Sequence, residues 1–267
     1  MIKSELRGTL ALMVQKSKIK LMKLKIYIHV IDFPGWNTIL TEQLSKIDDS
    51  GLGSEAAEIN FCLNGSLPNF NEWISTQTGR KNAKFLHVWT SYDLYEYPTL
   101  DYIKRQCDAD SHDTAVLYLH PKGISKVDGK DKMEDWRNYM EYWVIEQYKD
   151  CIDKLSTHDA VGVNYRTHPW PHFSGNMWWA NAAYIKKLPK QLHPDILHAR
   201  GYKQFRPKVH CQWTADPRFD CESWIGTGVE LTNAKLYEIY SSPLTNPPTG
   251  WHYFNLWPRS KYEKKKL

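Results

Sequence analysis

The sequence predicts a single-domain α/β protein with a mostly parallel central sheet flanked by helices. Short β-branched and apolar runs alternate with segments of helical spacing, the order expected when crossover helices join parallel strands. Most of these runs stop near Gly, Pro or Asn, residues that turn the chain out of a sheet. No Pro/Gly/Ser-rich linker divides the 267 residues, which are enough to bury one large core.

The first strand covers residues 25–31 and closes at Asp32-Phe33-Pro34-Gly35. Trp36, Ile39, Leu40, Leu44 and Ile47 then recur at helical spacing, and Asp48-Asp49-Ser50-Gly51 stops that helix. Residues 57–63 form a second strand ending at Asn64-Gly65, and residues 84–89 a third, followed by a loop through Glu96-Tyr97-Pro98. Pro98 opens a helix with Leu100, Ile103 and Cys107 on one face. The run 114–119 (Thr-Ala-Val-Leu-Tyr-Leu) is apolar throughout, as a strand covered on both faces must be, and it exits into His120-Pro121-Lys122-Gly123. After a charged loop, apolar residues from Met133 to Leu155 keep to one stripe and predict a single helix of six turns. Residues 160–164 read as a further strand, 172–180 as a loop, and 184–188 as a helix. Beyond Pro189 the pattern weakens, with a short helix at 221–226 and an aromatic tail from Trp251 to Trp257 that folds back over the body.

Charge is distributed unevenly. The formal net charge is +5, yet residues 1–25 hold seven Lys/Arg against one Glu and residues 259–267 five against one, so the body between them is acidic. The expected organisation is a basic extension over 1–24, a domain over 25–258 and a basic tail over 259–267. An acidic body argues against nucleic acid as a partner and leaves the tails as solubilising ends or peripheral contacts for an anionic membrane. The five cysteines are scattered without a CxxC pair, which argues against a disulfide framework or a structural zinc site and makes a reducing compartment the default. No segment reaches membrane-spanning length and none resembles a secretory leader, so the expected location is cytoplasmic.

Several residues carry chemistry. Ligands of open α/β sheets bind beyond the carboxyl ends of the strands, where His120 and Lys122 fall, and both can grip an anion. The plain alternative is a polar turn. His172, Ser174, Gly175 and Asn176, followed by Trp178 and Trp179, combine small residues, hydroxyl-pairing groups and two aromatic faces, which suits a sugar; the alternative is a packed loop. Glu222, with Asp216 and Asp220 nearby, is a candidate base for an acceptor hydroxyl, Asp220 being the second candidate. Asp108-Ala109-Asp110 satisfies an Asp-x-Asp metal pattern but precedes a strand instead of leaving one, so Asp108 and Asp110 are weak metal candidates. Gly-x-Gly-x-x-Gly, Walker and Gly-x-Ser-x-Gly patterns are absent, which weakens dinucleotide, P-loop and serine-hydrolase readings.

Four ordered motifs, at residues 118–123, 136–142, 161–164 and 172–180, resemble small GT-A-fold glycosyltransferases encoded in bacterial capsule and O-antigen clusters and by large algal viruses, including a viral capsid-glycan rhamnosyltransferase domain. The likeness runs from about Lys25 to Ile225; relatives often carry threonine where this chain has Pro121. The resemblance implies a nucleotide-sugar donor linked to UDP, GDP or dTDP and a glycan acceptor. By position it puts the nucleotide at His29, Val30, Asn64 and Glu96, the diphosphate at His120 and Lys122, and the sugar or acceptor at His172, Ser174, Gly175, Asn176, Trp178 and Trp179. It leaves room for a divalent metal, Mn2+ or Mg2+, and calls for no organic cofactor. A non-catalytic carbohydrate-binding protein on the same fold is the competing expectation.

Overall fold

The computed structural model describes residues 22–77, 79–90, 94–111, 113–124, 130–167, 171–189, 218–241 and 258–264. Its first strand is β1 (Lys23–Ile31), which begins two residues before the expected start. Around it lie α1 (Trp36–Asp49), β2 (Ala56–Asn64), α2 (Leu67–Thr76), β3 (Ala83–Trp89), α3 (Tyr97–Ala109) and β4 (Thr114–Leu119). Then follow α4 (Lys130–Glu141), α5 (Tyr148–Leu155), β5 (Ala160–Val163), β6 (Tyr165–Arg166), β7 (His172–Phe173), β8 (Trp178–Asn181), α6 (Ala182–Ile185), α7 (Arg218–Ser223) and β9 (Leu236–Tyr240).

Seven strands form the main sheet in the order β3-β2-β1-β4-β8-β5-β9. All neighbours pair in parallel except β8, which runs antiparallel to both β4 and β5. This mostly parallel, helix-flanked sheet is the α/β class expected from the sequence. The reversal of β8 has a direct consequence for the site. Trp178 pairs with Tyr118, so residues 174–177 enter the sheet beside the point where β4 leaves it. The carboxyl ends of β1, β2, β3, β4, β5 and β9 and the start of β8 therefore share one edge.

Both faces of the sheet are covered, which explains the continuous apolar runs. On one face Ile26, Ile28, Val30, Leu117, Leu119 and Trp179 meet α1, α4 and α5 through Leu40, Leu44, Met140 and Ile152. On the other Tyr27, Val116, Tyr118 and Trp178 meet Leu100, Ile103, Ile185 and Trp224. Adjacent residues of one strand serve opposite layers, as the two-residue period requires.

Two sequence expectations change. The stripe from Met133 to Leu155 is not one regular helix, because a π-helical turn at Tyr142–Glu146 separates α4 from α5. Tyr142, Trp143, Val144 and Ile145 are all buried, and four consecutive residues cannot share one face of an α-helix. The wider turn frees carbonyls that find new donors: Trp179 Nε1 donates to Val144 O at 2.7 Å and Cys151 Sγ to Trp143 O at 3.3 Å. The expected loop over 172–180 contains β7 and the central strand β8. Residues 259–264, part of the stretch 259–267 read as a basic tail, lie against the helices, with Tyr262 buried between Tyr139 and Tyr142. The Trp251–Trp257 segment lies outside the described residues, as do Asp216 and the side chain of Asp220, whose backbone is in α7.

Candidate functional site

The shared edge gathers groups from β1, β2, β4, the start of α3, the turn before β8, and α7. Its interior is organised by Glu96, which precedes the first turn of α3. One oxygen, Oε2, accepts from Tyr118 Oη and from Asn176 Nδ2, each at 2.6 Å. The other, Oε1, lies 3.7 Å from His120 Nδ1. Three chain segments thus close on one buried carboxylate. Its partners are short, charge-assisted donors of the kind that satisfies a buried anion.

His120 does not face outward as expected. Its Nε2 donates to the carbonyl of Gly175 at 2.6 Å, a bond that assigns the proton to Nε2 because the partner can only accept. The ring ties the exit of β4 to the 174–177 turn, and it is buried. His29 lies behind it with Nδ1 2.8 Å from Thr99 Oγ1. Burial pushes the His29 imidazole down to about 4, opposed by the charge of Glu96 and aided by His120. Val30 contributes a side chain to the apolar core.

The 174–177 turn needs its two central residues. Gly175 has φ +92°, and a Cβ there would collide with Met140 and approach Trp136 Cζ2 to 3.0 Å. Asn176 follows at φ +55°, which its short side chain tolerates. That side chain is fully engaged: Nδ2 also faces Cys221 O at 3.3 Å, and Oδ1 accepts from Trp178 Nε1 at 3.0 Å. Trp178 and Trp179 are fully buried, one in each core layer, so neither ring offers a face to a sugar. This corrects their expected role, and that of Asn176, from ligand contact to support of the turn. Ser174 is also buried, its N–H donating to Asn164 O at 3.1 Å, while His172 is half-buried on β7.

Lys122 and Glu222 come together, 100 residues apart in the chain, with Lys122 Nζ 3.4 Å from Glu222 Oε1. Their side chains keep 17% and 16% exposure, and the ammonium also lies 4.8 Å from the Trp136 ring centroid. The turn beneath Lys122 is braced from behind. Gln43 Nε2 donates to His120 O at 3.2 Å and Arg137 Nη1 reaches Lys122 O at 3.4 Å. Gln43 also donates to the buried Glu141, and Arg137 pairs with Glu42 at 2.9 Å.

Asn64 ends β2, its Nδ2 donating to Tyr95 O at 2.9 Å, while its buried Oδ1 has no hydrogen-bond partner among the described residues. Tyr95 adopts φ +51°, a left-handed conformation costly for a large side chain. Trp89 and Tyr95 are 37% and 38% exposed beside it. The sequence reading missed this aromatic pair, together with the Tyr118 hydroxyl, Thr99 and Gln43. Its only signal was two aromatics flanking the exit of β3. Asp108 and Asp110 stand at the opposite edge, before β4. Asp110 holds Lys25 at 2.8 Å and Thr114 Oγ1 at 3.0 Å, and Asp108 holds Lys104 at 2.5 Å. Among the described residues no group of three or more His, Cys, Asp or Glu is close enough to hold a metal ion.

The family described as "Domain of unknown function (DUF8361)" matches residues 29–252, which include the whole of this edge. The chain belongs to that family. No curated protein matches the DUF8361 chain. Solved structures similar to it include residues 1–349 of S. aureus TarS, with TM-score 0.40, 16% identity, and coverage of 64% of this chain and 52% of that one. The chain thus spans about half the length of that structure. Another is 4-diphosphocytidyl-2C-methyl-D-erythritol synthase from Anaerococcus prevotii, with TM-score 0.40, 12% identity, and coverage of 87% and 95%. A manganese complex from Mycobacterium tuberculosis H37Rv has TM-score 0.35, 10% identity, and coverage of 76% and 98%. No helix of the described residues is long and apolar enough to cross a membrane.

Proposed function

We propose that this chain is a glycosyltransferase that moves a sugar from a nucleoside diphosphate donor to a hydroxyl of a growing glycan. The observation that carries the reading is the Lys122–Glu222 pair at the carboxyl edge of a parallel sheet. It sets a cation that can face a leaving diphosphate against a carboxylate that can take a proton. In the reaction the acceptor O–H gives its proton to the Glu222 carboxylate and its oxygen bonds to the anomeric carbon. The bond from that carbon to the diphosphate oxygen breaks, and the electron pair leaves on the diphosphate, opposite the Lys122 ammonium.

The nucleoside is assigned to the ends of β1 to β3. There Asn64 Oδ1 is an acceptor without a hydrogen-bond partner among the described residues, and Trp89 and Tyr95 supply partly exposed rings. His172 is left as the half-buried candidate on the acceptor side. Among the described residues no group fits a divalent ion at the diphosphate, and Asp108 and Asp110 are paired with lysines at the far edge.

Thermal stabilisation by UDP, GDP, dTDP and inorganic phosphate, each with and without Mn2+ or Mg2+, tests the reading. A ligand at about 100 times its dissociation constant adds roughly 2.7 kcal/mol. Selective stabilisation by one nucleotide is expected. Equal responses to nucleotides and phosphate would overturn the transferase and favour a carbohydrate-binding module.

A further inference from the structure

We infer that Glu222 occupies the anion position at Lys122, so that a phosphorylated ligand binds by exchange, taking the Lys122 ammonium and displacing the Glu222 carboxylate from it. The inference rests on the reading of Lys122 as the diphosphate anchor and adds a specificity role for Glu222. Three observations carry it. The ammonium already has an anionic partner, at 3.4 Å, in a largely shielded position. The backbone of Lys122 cannot follow a ligand, because Lys122 N donates to His120 O at 2.9 Å and both carbonyls of that turn are braced by Gln43 and Arg137. Gly123, at φ +85°, is backed by Met133. The four-carbon stem of Lys122 can swing, however, and its other contact, the face of Trp136, is indifferent to which anion it holds.

Exchange sets a threshold of ligand charge. A monoanion replacing Glu222 brings no more charge than the carboxylate it displaces, so it gains little. A diphosphate brings at least two charges and several oxygens, and its binding is favoured over that of phosphate or a carboxylate. The same event changes Glu222. An ammonium in contact favours the ionised form of any carboxylate, so displacement from Lys122 makes Glu222 a better proton acceptor when the donor is seated. The base would then be released by the substrate whose transfer it assists.

Calorimetric binding of inorganic pyrophosphate, inorganic phosphate and UDP to the intact chain, to Glu222→Gln and to Lys122→Met tests this. Glu222→Gln is close to isosteric, and unfolding curves of all three proteins establish that they fold. The expected result is tighter binding of pyrophosphate and of phosphate by Glu222→Gln, about tenfold for each, because both displace the same carboxylate. Lys122→Met is expected to lose both. Unchanged or weaker pyrophosphate binding by Glu222→Gln would overturn the exchange, as would pyrophosphate binding that survives Lys122→Met. If the exchange behaves as expected but UDP binds no better than pyrophosphate, the nucleotide-sugar reading fails and the exchange stands.

Discussion

The Oε2 atom of Glu96 and the Nδ2 atom of Asn176 meet at 2.6 Å in a buried contact, joining the start of α3 to the turn that feeds β8. Tyr118 donates to the same oxygen from β4. Removing the carboxylate strands two buried donors, and each costs about 1–3 kcal/mol to leave unpaired. Glu96→Ala should therefore lower the unfolding free energy by about 3 kcal/mol in urea titrations. A loss below about 1 kcal/mol would mean that water takes over both bonds.

Gly175 gives a second prediction for the same turn. Its φ of +92° and the Met140 side chain beside it penalise any Cβ. Gly175→Ala should cost about 3 kcal/mol, combining left-handed strain with overpacking. The part due to Met140 is separable. If the collision matters, Gly175→Ala and Met140→Ala together should destabilise by less than the sum of the single changes.

These two residues show what a sequence reveals of such a site. Strands β1, β2 and β4 were legible because burial on both faces writes continuous apolar runs, and their exits because Gly65, Pro121 and Gly123 interrupt them. The proximity of Lys122 and Glu222 was not, since nothing local encodes a contact across 100 residues. Trp178 and Trp179 misled for a related reason. A four-residue strand buried on both sides shows no alternation, and its polar neighbours Ser174 and Asn176 look like a surface. They are interior groups whose partners come from β4, α3 and α7, and only the fold supplies those. The π turn at Tyr142–Glu146 was hidden because its residues satisfy an apolar stripe at either period.

His29 predicts a pH dependence. Its ordinary value of 6.5 falls to about 4 in the folded chain because burial disfavours the imidazolium. Below pH 6.5 the unfolded chain takes a proton that the folded chain refuses until about pH 4. Stability is therefore complete above that range and is lost as the pH falls through it. Between pH 7 and 5 the expected loss from this group is about 2 kcal/mol. Asparagine can keep a hydrogen bond to Thr99 without titrating, so His29→Asn should show a correspondingly smaller loss between urea titrations at the two pH values. Equal losses in the two proteins would remove His29 as the cause.

The C-terminal segment offers the last test, because its charge and its structure point in different directions. Five of its nine residues, 259–267, are Lys or Arg, the composition of a solvated tail, and deleting such a tail changes stability by no more than about 0.5 kcal/mol. Yet Tyr262 is buried with ring centroids 5.3 Å and 5.4 Å from those of Tyr139 and Tyr142. Arg259 pairs with Glu146 on the π turn, and the Lys264 N–H donates to Tyr142 Oη at 2.8 Å. Burial pushes the Tyr262 hydroxyl up to about 12, as a ring removed from water requires. Truncating a buried aromatic to Ala costs about 3–5 kcal/mol in a closed core and less at its rim. Tyr262→Ala should therefore cost about 2–3 kcal/mol, and deletion of 259–267 at least as much. The effect should reach the site's supports, since Tyr139 Oη donates to Asn164 Oδ1 at 3.1 Å and Asn164 O holds the Ser174 N–H. Amide hydrogen exchange at Ser174 should then rise in Tyr262→Ala beyond what the global stability change accounts for. If it rises only in step with global unfolding, the segment braces the helices without reaching the turn.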